Sequence, residues 1–491
     1  MKRRRFIAAA GAAGIAGLAG CSGGGGNGSG GGSSGGGSSG SGTEGTTTGS
    51  SGGSTVDLRL WSGNMTDEPS NKEYWQNAIQ RFNDQSDGVE INLRGVPYEG
   101  QFDKIRSGVQ AGADSAPHIV EMASRKDTML AADTLRIDGD LFEGSALSDA
   151  MGEGLMGLAR GWGQQMTGEE GAIVCWPVGV RPYINCYRQN WLDAAGLSVD
   201  DVNLNAGTLS WDDMFQNVYA PMNETDLAAP SDAAPDTTGM KEGDEEIFAH
   251  YTGQMGITTM GTLNDAATHS ILDTDAAREV VQFQIDGIDQ GYFHPNSINH
   301  GDEEATTLQW SDKVGACHVQ DVSDLWGSYR SELGADAYER DYTWGLPNQF
   351  EEKATYGLVP IMVPFEEAFT SQAERDAMVE FVDWFATDQQ EPVRRVQKNG
   401  WIPVATDVLN ADWFSSTSLH EKFWSVIKAT VEDYTIVELP AVAGASAINF
   451  EIPRAMHQRI LQQGMSVEEA TTIAAEAQND ILRENGRYQA R

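Results

Sequence analysis

Residues 171–197 read GAIVCWPVGVRPYINCYRQNWLDAAGL, a stretch in which two apolar runs are separated by glycine and proline. The first run ends at Pro177, the chain is interrupted at Gly179, and a second β-prone run covers residues 183–187. A helical pattern follows and stops at Gly196. The stretch therefore predicts two strands joined by a crossing and then a helix, as expected where a chain leaves one sheet and enters another.

Three bulky or charged side chains flank this predicted crossing. Trp176 closes the first run, Arg181 follows the break, and Tyr183 opens the second run. Ligand pockets lie preferentially in clefts between domains. We therefore expect these three residues to contact a ligand, although packing in the core is the other role open to each aromatic ring.

The residues before the crossing alternate between strand and helix patterns. Strand patterns cover residues 56–61, 88–94 and 116–122, and helical patterns cover 74–83 and 102–111. This order predicts a parallel sheet with helices on its faces. In such sheets ligands bind beyond the carboxyl ends of the strands. The candidate ligand contacts at these ends are Trp61, Asn64, Tyr98, Arg125 and Asp127.

The crossing stretch resembles a signature of the extracellular solute-binding proteins of ABC sugar importers, the maltose-binding type of family 1. In that family a pattern G-x-hydrophobic-x-x-P, a strand and then Y-N-[KR] carry the chain between two lobes. Residues 185–188 depart from it and read NCYR. The first strand ending in Trp61 and residues 400–404 resemble the family as well, so the resemblance covers nearly everything after Ser54.

The resemblance implies an α/β, two-lobed, periplasmic-binding-protein-like (Venus flytrap) fold. Each lobe would be a mainly parallel sheet flanked by helices, and crossover segments would join the lobes. The N-lobe would comprise residues 55–180 plus 320–368, and the C-lobe residues 181–319 plus 369–491. The family pattern places a return crossing near Trp326. Trp326 and Trp401 stand at breaks between elements, Glu366 offers a planar polar partner for sugar hydroxyls, and all three are further candidate ligand contacts.

The function implied by this resemblance is capture of a mono- or oligosaccharide by hinge closure and its delivery to ABC permease subunits. We expect a monomer that is not an enzyme and has no cofactor. Two alternatives stay open: a cell-surface glycoside hydrolase or lyase, and the same fold with a non-sugar ligand such as a polyol phosphate, a polyamine or a metal complex. Tryptophans at breaks between elements favour a sugar, since sugar rings stack on aromatic rings.

The amino terminus has the pattern of an export signal. Residues 1–21 combine a basic start with an apolar run too short and too weakly apolar for a membrane span. Residues 3–7 resemble a twin-arginine motif, and residues 18–21 resemble a lipobox, in which Cys21 becomes lipid-modified. An ordinary cleaved leader with an incidental cysteine is the alternative. Residues 22–54 are rich in Gly, Ser and Thr and predict a flexible linker, so we expect a lipid-anchored protein at the extracellular face of the membrane.

The charge balance is strongly acidic. The chain carries 72 Asp and Glu against 33 Lys and Arg, a formal net charge of -39, and the excess is spread along the sequence. This pattern fits either a highly soluble acidic protein or a surface adapted to near-saturating salt, as in halophilic archaea, where self-repulsion is screened. It tells against a nucleic-acid partner, because few cations are left to neutralise phosphates.

No catalytic or metal-binding motif stands out. The sequence has no Walker loop, no Gly-x-Ser-x-Gly after the Gly/Ser-rich tract that ends at Ser54, and no histidine pair at helical spacing, so neither catalysis nor a metal site is predicted. After Cys21 only Cys175, Cys186 and Cys317 follow. Cys175 and Cys186 either form a bridge across the crossing or stay buried as thiols.

Overall fold

The computed structural model describes residues 55–66, 69–97, 101–122, 141–142, 144–198, 201, 210–227, 245–258, 260–293, 316–321, 333–410 and 421–490. Within these residues, ten strands form two five-stranded sheets. The strands are β1 (Val56–Ser62), β2 (Val89–Gly95), β3 (Ile119–Met122), β4 (Trp176–Pro177), β5 (Arg181–Arg188), β6 (Ala316–Asp321), β7 (Tyr342–Gly345), β8 (Ala354–Leu358), β9 (Ile361–Pro364) and β10 (Thr435–Val437). The predictions for the leader, the linker, Cys21, Tyr98, Arg125, Asp127 and Trp326 fall outside the described residues.

Helices cover both sheets. The α-helices of the described residues are α1 (Pro69–Gln85), α2 (Gln101–Gln110), α3 (Ala146–Ala150), α4 (Glu153–Thr167), α5 (Gln189–Ala195), α6 (Trp211–Asp213), α7 (Ala220–Asn223), α8 (Glu245–Gln254), α9 (Asp275–Asp289), α10 (Ala335–Asp341), α11 (Gln372–Thr387), α12 (Glu391–Asn399), α13 (Thr406–Leu409), α14 (Glu421–Asp433), α15 (Ile452–Gln463) and α16 (Val467–Glu484). Two π-helical turns, Met214–Tyr219 and Ala447–Glu451, continue into α7 and α15.

The first sheet has the strand order β2-β1-β3-β9-β4. β1 lies parallel to β2 and β3, which confirms the predicted strand–helix–strand–helix–strand opening. β9 returns antiparallel to β3, and β4 pairs antiparallel with β9. α1 buries the apolar face predicted for it, and Trp75 of this face stacks on Phe385 of α11 with ring centroids 5.0 Å apart.

The second sheet has the order β10-β8-β5-β6, with β7 also paired to β5. β5 is antiparallel to β6, β7 and β8, and only β10 and β8 run parallel. The expectation of a mainly parallel sheet is therefore wrong for this half. β5 carries the chain away from the first sheet, whereas β8 carries it back, so the two strands must run in opposite directions.

The predicted crossing is confirmed. Residues 178–180 join β4 to β5, and helix α5 is capped by Gly196, whose φ of 70° is the left-handed conformation that favours glycine. A return crossing at residues 359–360 joins β8 to β9, and the Val178 N–H donates to the Pro360 carbonyl over 2.9 Å. A third passage follows α12, where Val180 and Ile402 exchange two backbone hydrogen bonds of 2.9 Å.

Two segments lie on the opposite side of the expected lobe boundaries. Residues 342–358 were expected in the N-lobe, but β7 and β8 pair within the second sheet. Residues 372–399 were expected in the C-lobe, but α11 packs against α1 of the first sheet through Trp75–Phe385 and Phe82–Phe381 contacts. Local patterns predict strands and helices, but they do not specify which sheet a strand joins.

The apolar core is continuous across the crossings. One cluster of buried side chains includes Leu60 in the first sheet, Val180 in the crossing and Trp344 in the second sheet. A second cluster, which contains Tyr187 and Trp211, covers the other face of the second sheet. The two halves therefore share packed side chains at their junction and are not independent cores.

Two further features concern membranes and cysteines. None of the helices in the described ranges is long and apolar enough to span a membrane. Cys175 and Cys186 are both buried, and no disulfide joins them to each other.

Candidate functional site

Four polar side chains meet at the carboxyl end of the parallel strands in the first sheet. Glu121 of β3 is fully buried beside Ser62 of β1, because these two residues are partners in the strand register. Ser62 Oγ donates to Glu121 Oε2 over 2.6 Å, and Asn64 Nδ2 donates to Glu121 Oε1. Gln101 Nε2 donates to the Glu121 carbonyl over 3.1 Å. We call Ser62, Asn64, Gln101 and Glu121 the Glu121 cluster.

The Glu121 cluster fixes the loop between β1 and α1. The Gly63 N–H donates to the Glu121 carbonyl over 3.2 Å, and the Met65 N–H donates to Ser62 Oγ over 3.1 Å. A Cβ on Gly63 would lie 2.8 Å from Gln101 Oε1, closer than real side chains approach. The loop that carries the predicted contact Asn64 is therefore held in one conformation by a buried carboxylate and its donors.

The crossings leave from the same edge of the first sheet. Glu121 is the register partner of Met362 in β9, and Met362 is in turn the partner of Trp176 in β4. The chain passes into the second sheet directly after β4, and Arg181, half-buried, is the first residue of β5. The Glu121 cluster and Arg181 therefore lie on the side of the first sheet that faces the other half.

A second buried acid lies beside the return crossing. Glu438 follows β10, and its Oε1 accepts from the Val359 N–H over 2.9 Å. Its Oε2 accepts from the Leu439 N–H over 3.0 Å. Glu438 thus fixes the point at which the chain returns from the second sheet to the first.

The aromatic candidates of the described residues are core residues. Trp61, Trp176, Tyr183 and Trp401 are each at least 95% buried. Trp176 stacks on Phe142 with centroids 5.8 Å apart, and the Tyr183 ring meets Tyr356 edge to face at 5.0 Å.

The other two rings are enclosed in the same way. The Arg94 guanidinium covers Trp61 at 4.8 Å, and a Cβ on Gly179 would lie 3.4 Å from the Trp401 ring. The sequence left two roles open for these aromatic rings, ligand contact and core packing. In this conformation the four rings pack in the core, and none presents a face to a ligand.

Glu366 does not join the other candidates. Ile361 at the start of β9 pairs with Met122 near the Glu121 cluster, whereas Pro364 at its end pairs with Ile119. Glu366 follows Pro364 and so lies at the opposite edge of the sheet. There it forms a two-pronged ion pair with Arg375, one branch of which is 2.7 Å long. An electrostatic role in fixing α11 accounts for this carboxylate better than ligand binding does.

A cavity of about 280 Å³ lies at the junction of the two halves. Gly154 of α4, Val180 of the crossing and Ile436 of β10 contribute to its wall, which is mostly aliphatic. Tyr434 lines it and donates its hydroxyl to the Pro347 carbonyl over 2.9 Å. Burial raises the pKa of Tyr434, so this hydroxyl stays neutral. The aliphatic wall does not suit a hydroxyl-rich sugar, but the space leaves room for the crossings to move.

Sequence reasoning missed the polar partners of Asn64 and one exposed ring in the second half. Glu121 stood within a predicted strand, and an acid inside an otherwise apolar strand was the available signal. Phe450 is 37% exposed and is the one aromatic among the large apolar side chains exposed in the described ranges. Its neighbour Asn449 is buried, and Asn449 Oδ1 has no hydrogen-bond donor. Both lie in a π-helical turn, a feature frequent at functional sites.

Contacts between the halves continue along α4. Gln165 Oε1 accepts from the Ala441 N–H over 2.8 Å, and Gln165 Nε2 donates to the Asp265 carbonyl over 3.2 Å. Ala441 belongs to the segment that leads to Asn449 and Phe450. The second half therefore approaches the first through this segment as well as through the crossings.

Comparison with known proteins identifies the architecture. No protein-family model matches the chain, and no curated protein sequence matches it significantly. A cyclic α-maltosyl-1,6-maltose binding protein from Arthrobacter globiformis matches with a TM-score of 0.66 and 17% identity, over 88% of this chain and 100% of that chain. The sugar-binding protein of Xanthomonas citri matches with a TM-score of 0.66 and 14% identity, over 88% and 98%.

A third solved structure is an ABC transporter solute-binding protein from Thermotoga lettingae bound with α-D-tagatose. It matches with a TM-score of 0.62 and 16% identity, over 88% of this chain and 100% of that chain. The chain has the two-lobed fold of these binding proteins. The first sheet and the helices on it form one lobe, and the second sheet and its helices form the other. The Glu121 cluster then lies on the side of the first lobe that faces the second, and Arg181 is the residue at which the second lobe begins after the first crossing.

Proposed function

We propose that the protein is the substrate-binding component of an ABC importer and that it captures a mono- or oligosaccharide between its lobes. One observation carries this proposal. The chain joins two separate sheets through crossing segments, and these segments leave the first sheet beside the Glu121 cluster. The three structures described above, which share its fold, are named for sugars or transport. Delivery would be to the permease subunits in the membrane.

The chemistry of the edge supports a hydroxyl-rich ligand. Asn64 is held by Glu121 and, like Trp61, is buried in this conformation, so a ligand reaches it only when the lobes open. Arg181 is half-buried, and its guanidinium offers several planar donors. We propose that both bind sugar hydroxyls, together with Tyr98, Arg125, Asp127 and Trp326. We also propose that Phe450, whose ring is exposed in the second lobe, stacks on the sugar.

Capture would proceed by hinge closure at the crossings. A ligand that contacts both lobes binds the closed form more tightly than the open form and shifts the equilibrium by that difference. The permease would recognise the closed form. The aliphatic cavity beside the crossings supports this motion, because its aliphatic side chains, such as Val180 and Ile436, make no side-chain hydrogen bonds that repacking would break.

The two buried acids near the crossings favour a binding protein over a glycosidase. A glycosidase needs one carboxyl group to give a proton and a second to act as base or nucleophile. Both oxygens of Glu121 and of Glu438 already accept hydrogen bonds from the protein. Their roles are to hold the loop after β1 and the return crossing.

We further propose that the protein works as a monomer outside the membrane, tethered by a lipid on Cys21 and by the linker of residues 22–54. The supporting observations are the leader pattern and the twin-arginine-like residues 3–7. The acidic composition supports a working environment of high salt, where charge repulsion is screened.

A thermal-shift screen of sugars in molar KCl tests the ligand class. A ligand at 100 times its Kd adds about 2.7 kcal/mol to the free energy of unfolding. Stabilisation by a polyamine or a polyol phosphate and by no sugar would overturn the carbohydrate assignment. Release of sugar from a polysaccharide would overturn the assignment as a binding protein.

Two matched variants test the site. We expect Asn64→Ala to raise the Kd of a stabilising sugar at least tenfold, about 1.4 kcal/mol, because it removes a fixed polar contact. Glu366→Gln is the control, since Glu366 lies at the opposite edge of the first sheet and pairs with Arg375. Equal effects of the two substitutions on Kd would show that the ligand does not bind at the Glu121 cluster.

A further inference from the structure

One guanidinium lies where the passages between the two lobes meet. Arg395 is a fully buried residue of α12, and the third passage begins directly after that helix. Its Nη1 donates to the Val178 carbonyl of the first crossing over 2.6 Å. The Val178 N–H in turn donates to the Pro360 carbonyl of the return crossing over 2.9 Å. Val178 therefore connects Arg395 to both of these crossings.

The third passage contacts the same side chain. The Arg395 guanidinium lies 4.2 Å from the ring centroid of Phe385 in α11 and 5.9 Å from that of Trp401. Trp401 directly precedes Ile402, which exchanges two backbone hydrogen bonds with Val180 of the first crossing. Arg395 thus contacts the first and third passages directly, and one hydrogen bond separates it from the return crossing.

Most of the hydrogen-bonding capacity of Arg395 is unused in this conformation. Nε and Nη2 have no acceptor within the described part of the chain. Glu391, one turn earlier in α12, pairs instead with Arg81 and Arg394. Buried donors without acceptors are costly, and apolar side chains of similar volume often replace buried charges without loss of stability. Stability alone therefore does not account for a guanidinium at this point.

We propose that Arg395 is a positioning residue that keeps the first crossing attached to the first lobe while the lobes move. Arginine carries five N–H donors in one rigid plane, and here Nη1 holds the Val178 carbonyl. When the backbone of the crossing turns, Nε and Nη2 bind the carbonyl oxygens that come within reach. This inference rests on the proposed function, because it gives Arg395 a part in the closure that captures a sugar.

Hydrogen exchange of the full-length, sugar-free protein tests the attachment without a ligand. Arg395→Met keeps an unbranched side chain and removes every donor. The measured quantity is the exchange rate of the Val178 amide divided by that of the slowest amide in β1, which reports opening of the first lobe as a whole. We expect this ratio to rise about tenfold, because the crossing loses a hydrogen bond to a charged group. A purely structural role would accelerate both amides alike and leave the ratio unchanged.

The neighbouring residue offers a matched control. Arg394 is 41% exposed in its side chain and contacts Glu391, so Arg394→Met should leave the exchange ratio unchanged. Arg395→Lys is the second variant and decides the matter if Arg395→Met does not fold. It keeps the charge, but a single ammonium does not replace the planar fork, so the ratio should rise here as well. An unchanged ratio in the Arg395 variants, or an equal rise in Arg394→Met, would overturn the proposal.

A titration separates this proposal from the proposed function. The probe is the sugar that gives the largest stabilisation of the wild type in the thermal-shift screen. Its Kd should rise about tenfold in Arg395→Met and stay unchanged in Arg394→Met. A raised exchange ratio with an unchanged Kd would show that Arg395 has no part in capture and would overturn the proposal. If no sugar binds the wild type, the proposed function fails, and the exchange ratio alone decides whether Arg395 positions the crossing.

Discussion

The two lobes differ in the polar side chains that they bury: the first lobe buries charged groups, whereas the second buries mostly neutral ones. Glu121, Glu391 and Arg395 are fully buried in the first lobe. Among the described residues of the second lobe, the buried polar groups are amides, hydroxyls and an imidazole, such as Gln284 and His457. The exception, Glu438, lies at the return crossing and accepts backbone hydrogen bonds there.

The difference shows that the two lobes reach stability by different routes. A buried charge is tolerated only where partners compensate the loss of water. Glu391 has Arg81 at 2.7 Å and Arg394 at 3.2 Å, and the Arg395 guanidinium lies 4.2 Å from the Phe385 ring centroid. The second lobe depends instead on aromatic packing, with Trp211 stacked on Phe283 at 4.2 Å. We therefore expect single charge changes to cost more in the first lobe.

The largest expected effect comes from Glu391→Gln. The substitution removes one of the two carboxylates, Glu391 and Glu121, whose charges act on the fully buried Arg395. Arg395 already has two nitrogen positions, Nε and Nη2, without hydrogen-bond partners. Loss of one partner from a buried ion pair costs about 3–5 kcal/mol. Urea denaturation at constant high salt measures the change in the free energy of unfolding.

The control for this charge change is Arg394→Gln in the same helix. Arg394 is 41% exposed in its side chain, so its contact with Glu391 is largely solvated. We expect a cost below about 1 kcal/mol. If both substitutions cost the same, the distinction between a charged first lobe and a neutral second lobe does not matter for stability.

The second prediction concerns pH and the neutral second lobe. Burial lowers the pKa of His457 to about 4, and its ring contacts Gln284 Oε1 at 2.8 Å. The unfolded chain takes up a proton below pH about 6.5, whereas the folded protein does so only below about 4, so stability is full above 6.5 and falls as the pH drops towards 4. The loss attributable to this group is about 3 kcal/mol.

His457→Gln isolates that contribution. The pKa of His118 in the first lobe is also lowered to about 4, mainly by burial, so the wild type alone does not separate the two imidazoles. The difference in unfolding free energy between wild type and His457→Gln should shrink by about 3 kcal/mol between pH 7 and pH 4. A difference that stays constant over this range would show that His457 is not neutral and buried.

A third, smaller effect is expected at the Glu121 cluster. Glu121→Gln replaces a carboxylate that accepts from Ser62 and Asn64 with an amide that has one acceptor oxygen. Loss of a hydrogen bond to a charged group costs about 1.5–3 kcal/mol. Chemical denaturation measures this cost, and a sugar titration should show weaker binding because the loop after β1 is released. Unchanged binding with reduced stability would separate the cluster from the ligand site.

Parts of this architecture could be predicted from sequence because the signals were local. Pro177, Gly179 and Gly196 punctuate the crossing stretch, and the strands and helix lie between them as predicted. The alternation of Leu58 and Leu60 likewise predicted β1. These features depend on backbone conformation within a few residues.

The remaining features depend on contacts between distant segments. β8 pairs with β5 and β10, and no local pattern in residues 354–358 specifies either partner. The local sequence around Trp61 and Trp401 is equally compatible with a residue that lines a ligand site and with a core residue. Only the fold shows that both side chains are buried. Glu121 was visible as an acid within an apolar strand, but its donors come from β1 and α2.

The smallest expected effect tests whether the two lobes unfold together. Ser371 caps α11 in the first lobe and Thr274 caps α9 in the second, each accepting from a backbone N–H three residues later. Replacement of either by alanine costs about 1 kcal/mol. Because one apolar cluster continues from the first sheet through Val180 to the second, we expect each substitution to lower the midpoint of the same calorimetric transition. Two transitions, each moved by only one of the substitutions, would show that the lobes are independent folding units despite their shared packing.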